Sequence, residues 1–136
     1  MKSIKLFGIL ALVFFSLSSC FAIDNSKVKK ELMKYFSSSE LEKLVEKIKS
    51  GEEKDIAIID VRPTAAYNKS HIPTAINIPN GVTKGKFEEL KNKDLILYCE
   101  TGGRVEAAKK NMIKDGFNPE RLLNFGGSSK YKGTTE

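Results

Sequence analysis

The 136 residues carry 40% hydrophobic and 29% charged side chains, a globular balance that excludes a disordered or fibrous chain and leaves room for one domain with a modest core. The formal net charge of +6 comes from lysines scattered among glutamates with few aromatics beside them. That pattern makes no electrostatic footprint for nucleic acid, and no nucleic-acid partner is expected.

The chain opens with Lys2 and Lys5, an apolar run from Leu6 to Leu17, and Ser18 and Ser19 before Cys20. This is the three-part layout of a secretory signal. The run of about 12 residues falls short of the roughly 18–20 needed to cross a bilayer, and charge returns at Asp24. Residues 1–22 are therefore expected to be a removable leader, and the protein to be exported to the periplasm or held as a membrane-anchored lipoprotein of a bacterial envelope. Leu17-Ser18-Ser19-Cys20 resembles a lipobox, with cleavage before Cys20 and lipid on its sulfur; Cys20-Phe21-Ala22 suits an ordinary signal peptidase equally well. Both cleavage sites stay open, and membrane contact is expected only through such a lipid. Loss of residues 1–19 removes Lys2 and Lys5 and lowers the net charge to +4. Cys99 then becomes the only free thiol, an internal disulfide is excluded, and a lone thiol in an oxidising compartment invites a functional reading over inert burial.

Residues 23–36 space Val28, Leu32 and Phe36 four apart, which predicts one amphipathic helix ahead of the domain. The domain itself is expected over 37–136. Ser37 and Glu40 form a capping box for a helix whose face is Leu41, Leu44, Val45 and Ile48, ending at Gly51. Ile56 to Val61, Ala75 to Ile78, Leu95 to Tyr98 and Leu122 to Phe125 are short apolar runs, as buried parallel strands require. Helical patterns lie between them at Lys86 to Lys91 and at Arg104 to Asp115, the latter with Val105, Ala108, Met112 and Ile113 inward and Gly116 as its stop. The alternation predicts an α/β fold, a three-layer sandwich around a mainly parallel central sheet.

In such a sheet, sites collect beyond the carboxyl ends of the strands, where Cys99-Glu100-Thr101-Gly102-Gly103-Arg104 falls between a strand and a helix. Two glycines let several amides turn inward, and the following helix adds its positive end. The loop is a nest for negative charge, in which a Cys99 thiolate, or the terminal sulfur of a persulfide on it, is favoured. Arg104 would draw in an anionic donor or brace the loop through its carbonyls. Glu100 would oppose a dianion if it pointed inward. Asp60 and Arg62, at a strand end, are expected to fix neighbouring loops, and His71 to be structural. One histidine and one free cysteine assemble no metal site, so neither a metal nor an organic cofactor is expected.

Ile59-Asp60-Val61-Arg62, Tyr67, His71-Ile72-Pro73, Ala75-Ile76-Asn77-Ile78-Pro79, Cys99-x-x-Gly102-x-Arg104, Ala107-Ala108, Gly116-Phe117 and Gly126-Gly127 together resemble the single-domain rhodanese family, over about Ser37 to Tyr131. The resemblance implies a thiosulfate- or persulfide-using sulfurtransferase, with Cys99 carrying the sulfur and residues 99–104 as the active-site loop. Its partners would be a small anionic sulfur donor or a persulfide and a thiol acceptor, with the protein a monomer or weak dimer. Four residues separate Cys99 from Arg104, whereas cysteine phosphatases resemble one another in having five, and the smaller ring suits sulfur. Ala66, Ser70, Thr74 and Tyr131 depart from the family pattern. The competing expectation is a non-catalytic rhodanese-like binding module in the envelope; a thiol redox or cyanide-handling role would share the same persulfide.

Overall fold

A computed structural model describes residues 25–136. The expected leader and Cys20 lie outside the described residues. Four strands, β1 (Ile56–Asp60), β2 (Ile76–Asn77), β3 (Asp94–Cys99) and β4 (Leu122–Gly127), form an all-parallel sheet in the order β2-β1-β3-β4. Three α-helices cover it: α1 (Ser38–Ser50), α2 (Thr64–Lys69) and α3 (Gly103–Lys114).

Apart from Asp60, Asp94 and Asn124, β1, β3 and β4 carry few polar residues because both of their faces are buried. Ile58, Ile96, Leu123 and Phe125 pack under α1 together with Leu41, Leu44 and Val45. Alternate positions Ala57, Ile59, Leu95, Leu97 and Leu122 face Val105, Ala108 and Met112 of α3. The Ser37 hydroxyl accepts from the Glu40 amide, while the Glu40 carboxylate turns to Lys43, so half of the expected capping box forms. Gly51 ends α1 in the left-handed conformation at φ 76°.

The segment ahead of α1 differs from the expected single α-helix. It forms two 3₁₀ turns, Asn25–Lys27 and Lys30–Phe36, and buries Leu32 and Tyr35, whereas Phe36 is exposed. A three-residue period sets Leu32 and Tyr35 on one side, where an α-helix would have chosen Phe36. The expected helix at Lys86–Lys91 is likewise a 3₁₀ turn, Glu88–Asn92. Helix α2 went unseen in the sequence because it is short and buries no residue fully. In α3, Ile113 is exposed and Lys109 buried; eight residues after Val105, Ile113 has rotated about 80° off the apolar stripe.

A bulge in β4 bears on the site. Leu97 lies opposite Asn124 but Tyr98 opposite Gly126, so Phe125 has no counterpart in the ladder and Gly127 comes to lie beside Cys99.

Candidate active site

Cys99 closes β3 and is fully buried. Its Sγ accepts a hydrogen bond from the Gly102 amide at 2.9 Å. Gly102 caps α3 at φ 93°, a conformation that costs a glycine little, and a Cβ there would meet the Gly126 Cα at 3.0 Å. The sulfur thus lies against a turned-in amide at the start of a 12-residue helix, where fixed partial positive charge favours an anion.

Gly127 packs on the opposite flank of the loop. A Cβ on it would lie 2.5 Å from the Glu100 carbonyl oxygen and 3.1 Å from the Thr101 Cα, backbone atoms that yield only if the loop moves. Gly127→Ala is expected to lower the activity of the site by about a hundredfold, since misplacement near 1 Å costs that much, and to destabilise the fold by about 1–3 kcal/mol. Steady-state rates and a thermal melt on the same sample check both effects.

Arg104 lies in the first turn of α3, exposed, and its guanidinium makes no hydrogen bond or ion pair among the described residues. It therefore does not brace the loop carbonyls. The Glu100 carboxylate is 70% exposed and lies 3.6 Å from the Arg62 guanidinium, which draws it towards Arg62. Thr101 and Gly103 line the surface of the loop.

Asp60 and Arg62 form a buried fork beneath the loop. Arg62 Nε donates to both Asp60 carboxylate oxygens at 3.0 and 3.1 Å, Nη2 donates to Oδ2 at 2.7 Å, and the Arg62 amide donates to Oδ1 at 2.9 Å. Nη2 also donates to the Ser70 carbonyl, and the Tyr98 hydroxyl donates to Asp60 Oδ2 while accepting from the Ile72 amide. These bonds tie β1, β3 and the segment 70–72 together. Hydrogen bonding to Asp60 holds the Arg62 guanidinium further into its charged range, and burial pushes the Tyr98 phenol up, so both keep these protonation states at neutral pH. His71 stacks on Tyr67 with centroids 3.8 Å apart, its Nδ1 meets the Tyr67 carbonyl, and its backbone exchanges two hydrogen bonds with Glu136. It faces neighbours that fix it rather than the sulfur. Among the described residues no cluster of His, Cys, Asp and Glu could hold a metal ion.

The rhodanese-like domain family matches residues 39–134. The chain belongs to the rhodanese-like family. A Bacillus subtilis protein named as a sulfur carrier, YrkF, is 35% identical over 98 residues, covering 71% of this chain and 51% of that protein. This chain thus matches about half of that relative's length. A protein of Allochromatium vinosum named sulfurtransferase is 28% identical over 74 residues, covering 54% of this chain and 67% of the other. Among solved structures, a rhodanese with anions from E. coli superposes with a TM-score of 0.50 at 26% identity, over 60% of this chain and 96% of that one. The rhodanese-like domain of Alr3790 from Anabaena superposes at 0.55 and 26% identity, over 68% and 73%.

Within this rhodanese-like domain, two residues, one bonded to Asp60 and one to the loop, were not singled out in the sequence. Tyr98 reads there as one more strand residue, and nothing local to it signals its hydroxyl's partners. Asn124 carried a signal: it is the one polar residue in Leu122-Leu123-Asn124-Phe125, a run that otherwise reads as covered on both faces. Its side chain donates to the Gly102 carbonyl and to the Glu106 carboxylate. Thr74, where the family pattern has glycine, takes a left-handed φ of 70° with its hydroxyl buried and unpaired. That is a strained conformation for a β-branched residue.

Proposed function

We propose that this rhodanese-like domain is a sulfurtransferase that carries sulfane sulfur as a persulfide on Cys99. The Cys99 thiolate attacks the outer sulfur of a donor such as thiosulfate or a persulfide. The donor's S–S bond breaks and the leaving sulfite or thiolate takes the electron pair. The new Cys99–S–S⁻ is itself an anion, beside the Gly102 amide at the head of α3. A thiophilic acceptor, a thiolate or cyanide, then attacks the outer sulfur and releases Cys99 as thiolate. The observation that carries this reading is the Gly102 amide on Cys99 Sγ at 2.9 Å at the head of α3, because that donor stabilises both the thiolate and the persulfide.

A double-displacement cycle gives parallel lines in double-reciprocal plots of thiosulfate against cyanide; intersecting lines would contradict it. Arg104, exposed and without a polar partner among the described residues, is the group that meets an anionic donor. Arg104→Gln is expected to lower kcat/KM for thiosulfate by roughly 10–100-fold, the value of a hydrogen bond to a charged group. The effect on an uncharged persulfide donor should be smaller, which the same assay with both donors checks. With Glu100 drawn to Arg62, its charge opposes a dianion less than it would from inside the ring.

We also propose that the chain is exported and its leader, residues 1–22, removed. Intact mass of the protein from its native host reports the cleavage site and any lipid on Cys20.

A further inference from the structure

Gly102 and Gly103 are the freest backbone in the loop, because neither carries a Cβ to restrict φ and ψ. Yet the Gly102 amide has to stay aimed at Cys99 Sγ. One side chain outside the loop holds this pair of peptides. Asn124 Nδ2, on β4, donates to the Gly102 carbonyl at 3.3 Å and to Glu106 Oε1, on α3, at 3.0 Å. Glu106 Oε1 is in turn 3.6 Å from the buried Lys109 ammonium. Only the NH₂ end of the amide can face two acceptors, so the orientation of Asn124 follows from its partners.

Asn124 is 1% exposed, and its own carbonyl oxygen is buried with no hydrogen-bond partner. A buried asparagine left in that state lowers stability relative to leucine, which would fill the same space against α3 without an unpaired oxygen. Its compensation is the pair of donor bonds at the loop. We infer that Asn124 is a positioning residue for sulfur transfer: it fixes the Gly102 carbonyl, and through the shared Cα the Gly102 amide that holds the Cys99 sulfur. Glu106 keeps Asn124 in that pose and Lys109 keeps Glu106 beneath α3. This rests on Cys99 being the sulfur carrier, although the positioning can be read without any transfer assay.

The test is Asn124→Leu in the full chain, with iodoacetamide alkylation of Cys99 followed against pH. Loosening the amide should slow alkylation at neutral pH by at least about threefold and move the profile to higher pH, as thiolate population sets the rate. The melting temperature should change little, because the unpaired oxygen and the two donor bonds are lost together. A profile that superimposes on that of the unsubstituted protein would overturn the inference. Should Asn124→Leu not fold, the unsubstituted protein decides: the Asn124 side-chain amide resonances should shift with the same midpoint as Cys99 ionisation, and resonances that stay flat through that midpoint would overturn the inference. A Cys99 that takes up no sulfur but responds to Asn124→Leu would defeat sulfur transfer and leave the positioning role standing.

Discussion

Cys99→Ser is expected to lower sulfur transfer by at least about a thousandfold, as loss of a covalent nucleophile does elsewhere. Cys99 is the free cysteine among the described residues, so no neighbouring thiol can take over. A serine hydroxyl can still accept from the Gly102 amide, and the loop should keep its shape. It is far less able to ionise at neutral pH and forms no persulfide. The fully buried position makes the exchange cost on the order of 1 kcal/mol in stability, small enough to leave a folded protein at assay temperature. Thiocyanate production from thiosulfate and cyanide, with circular dichroism on the same sample, separates lost chemistry from lost fold. A serine variant that retained more than a trace of turnover would remove Cys99 from the centre of the mechanism.

Asp60→Asn carries the largest expected effect on stability. Asp60 is fully buried, and its two oxygens accept from the Arg62 guanidinium, the Arg62 amide and the Tyr98 hydroxyl. Neutralising it leaves the Arg62 cation, whose side chain is 9% exposed, without its principal counter-charge. Breaking a buried pair on one side costs about 3–5 kcal/mol. For a domain of this size that lowers Tm by more than about 10 °C. Activity should fall as well, since Arg62 also faces Glu100 beside the nucleophile and Tyr98 precedes Cys99 on β3. Replacing both partners with apolar residues, Asp60→Leu with Arg62→Met, should recover much of the lost stability, because it removes the stranded charge. Differential scanning calorimetry on the single and double variants measures both. A double variant as unstable as Asp60→Asn alone would show that the fork contributes through its hydrogen bonds to Ser70 and Tyr98 rather than through charge.

The sequence made the sheet legible because its strands are covered on both faces, which leaves continuous apolar runs that need no tertiary information. The same property hid the ends of elements. β2 is a two-residue edge strand although Ile76 and Ile78 favour a longer one, and Thr74 with its left-handed backbone and Pro79 confine it. Phe36 and Ile113 were expected inward because their spacing fits an α-helical stripe. One lies in a 3₁₀ turn and the other past the edge of the stripe, choices made by packing. At the candidate site, the loop 99–104 could be read directly, since chain order places a cysteine, two glycines and an arginine between a strand and a helix. The groups that steady the loop come from elsewhere in the chain. Asn124 reaches it from β4 across the sheet, and Gly127 only through the β4 bulge, a register shift of one residue that leaves no mark in composition or period. Glu100 was expected to weigh on donor binding. Its ion pair with Arg62 spans 38 positions, which no local pattern encodes.

The most direct measurement of the central claim is the intact mass of the reduced protein after brief exposure to thiosulfate or a polysulfide, followed by peptide mapping. Carriage of sulfur on Cys99 predicts a gain of one sulfur atom, confined to the peptide containing Cys99, absent from Cys99→Ser and removed by cyanide. An accessible, reduced Cys99 that acquires no sulfur from either donor would contradict it.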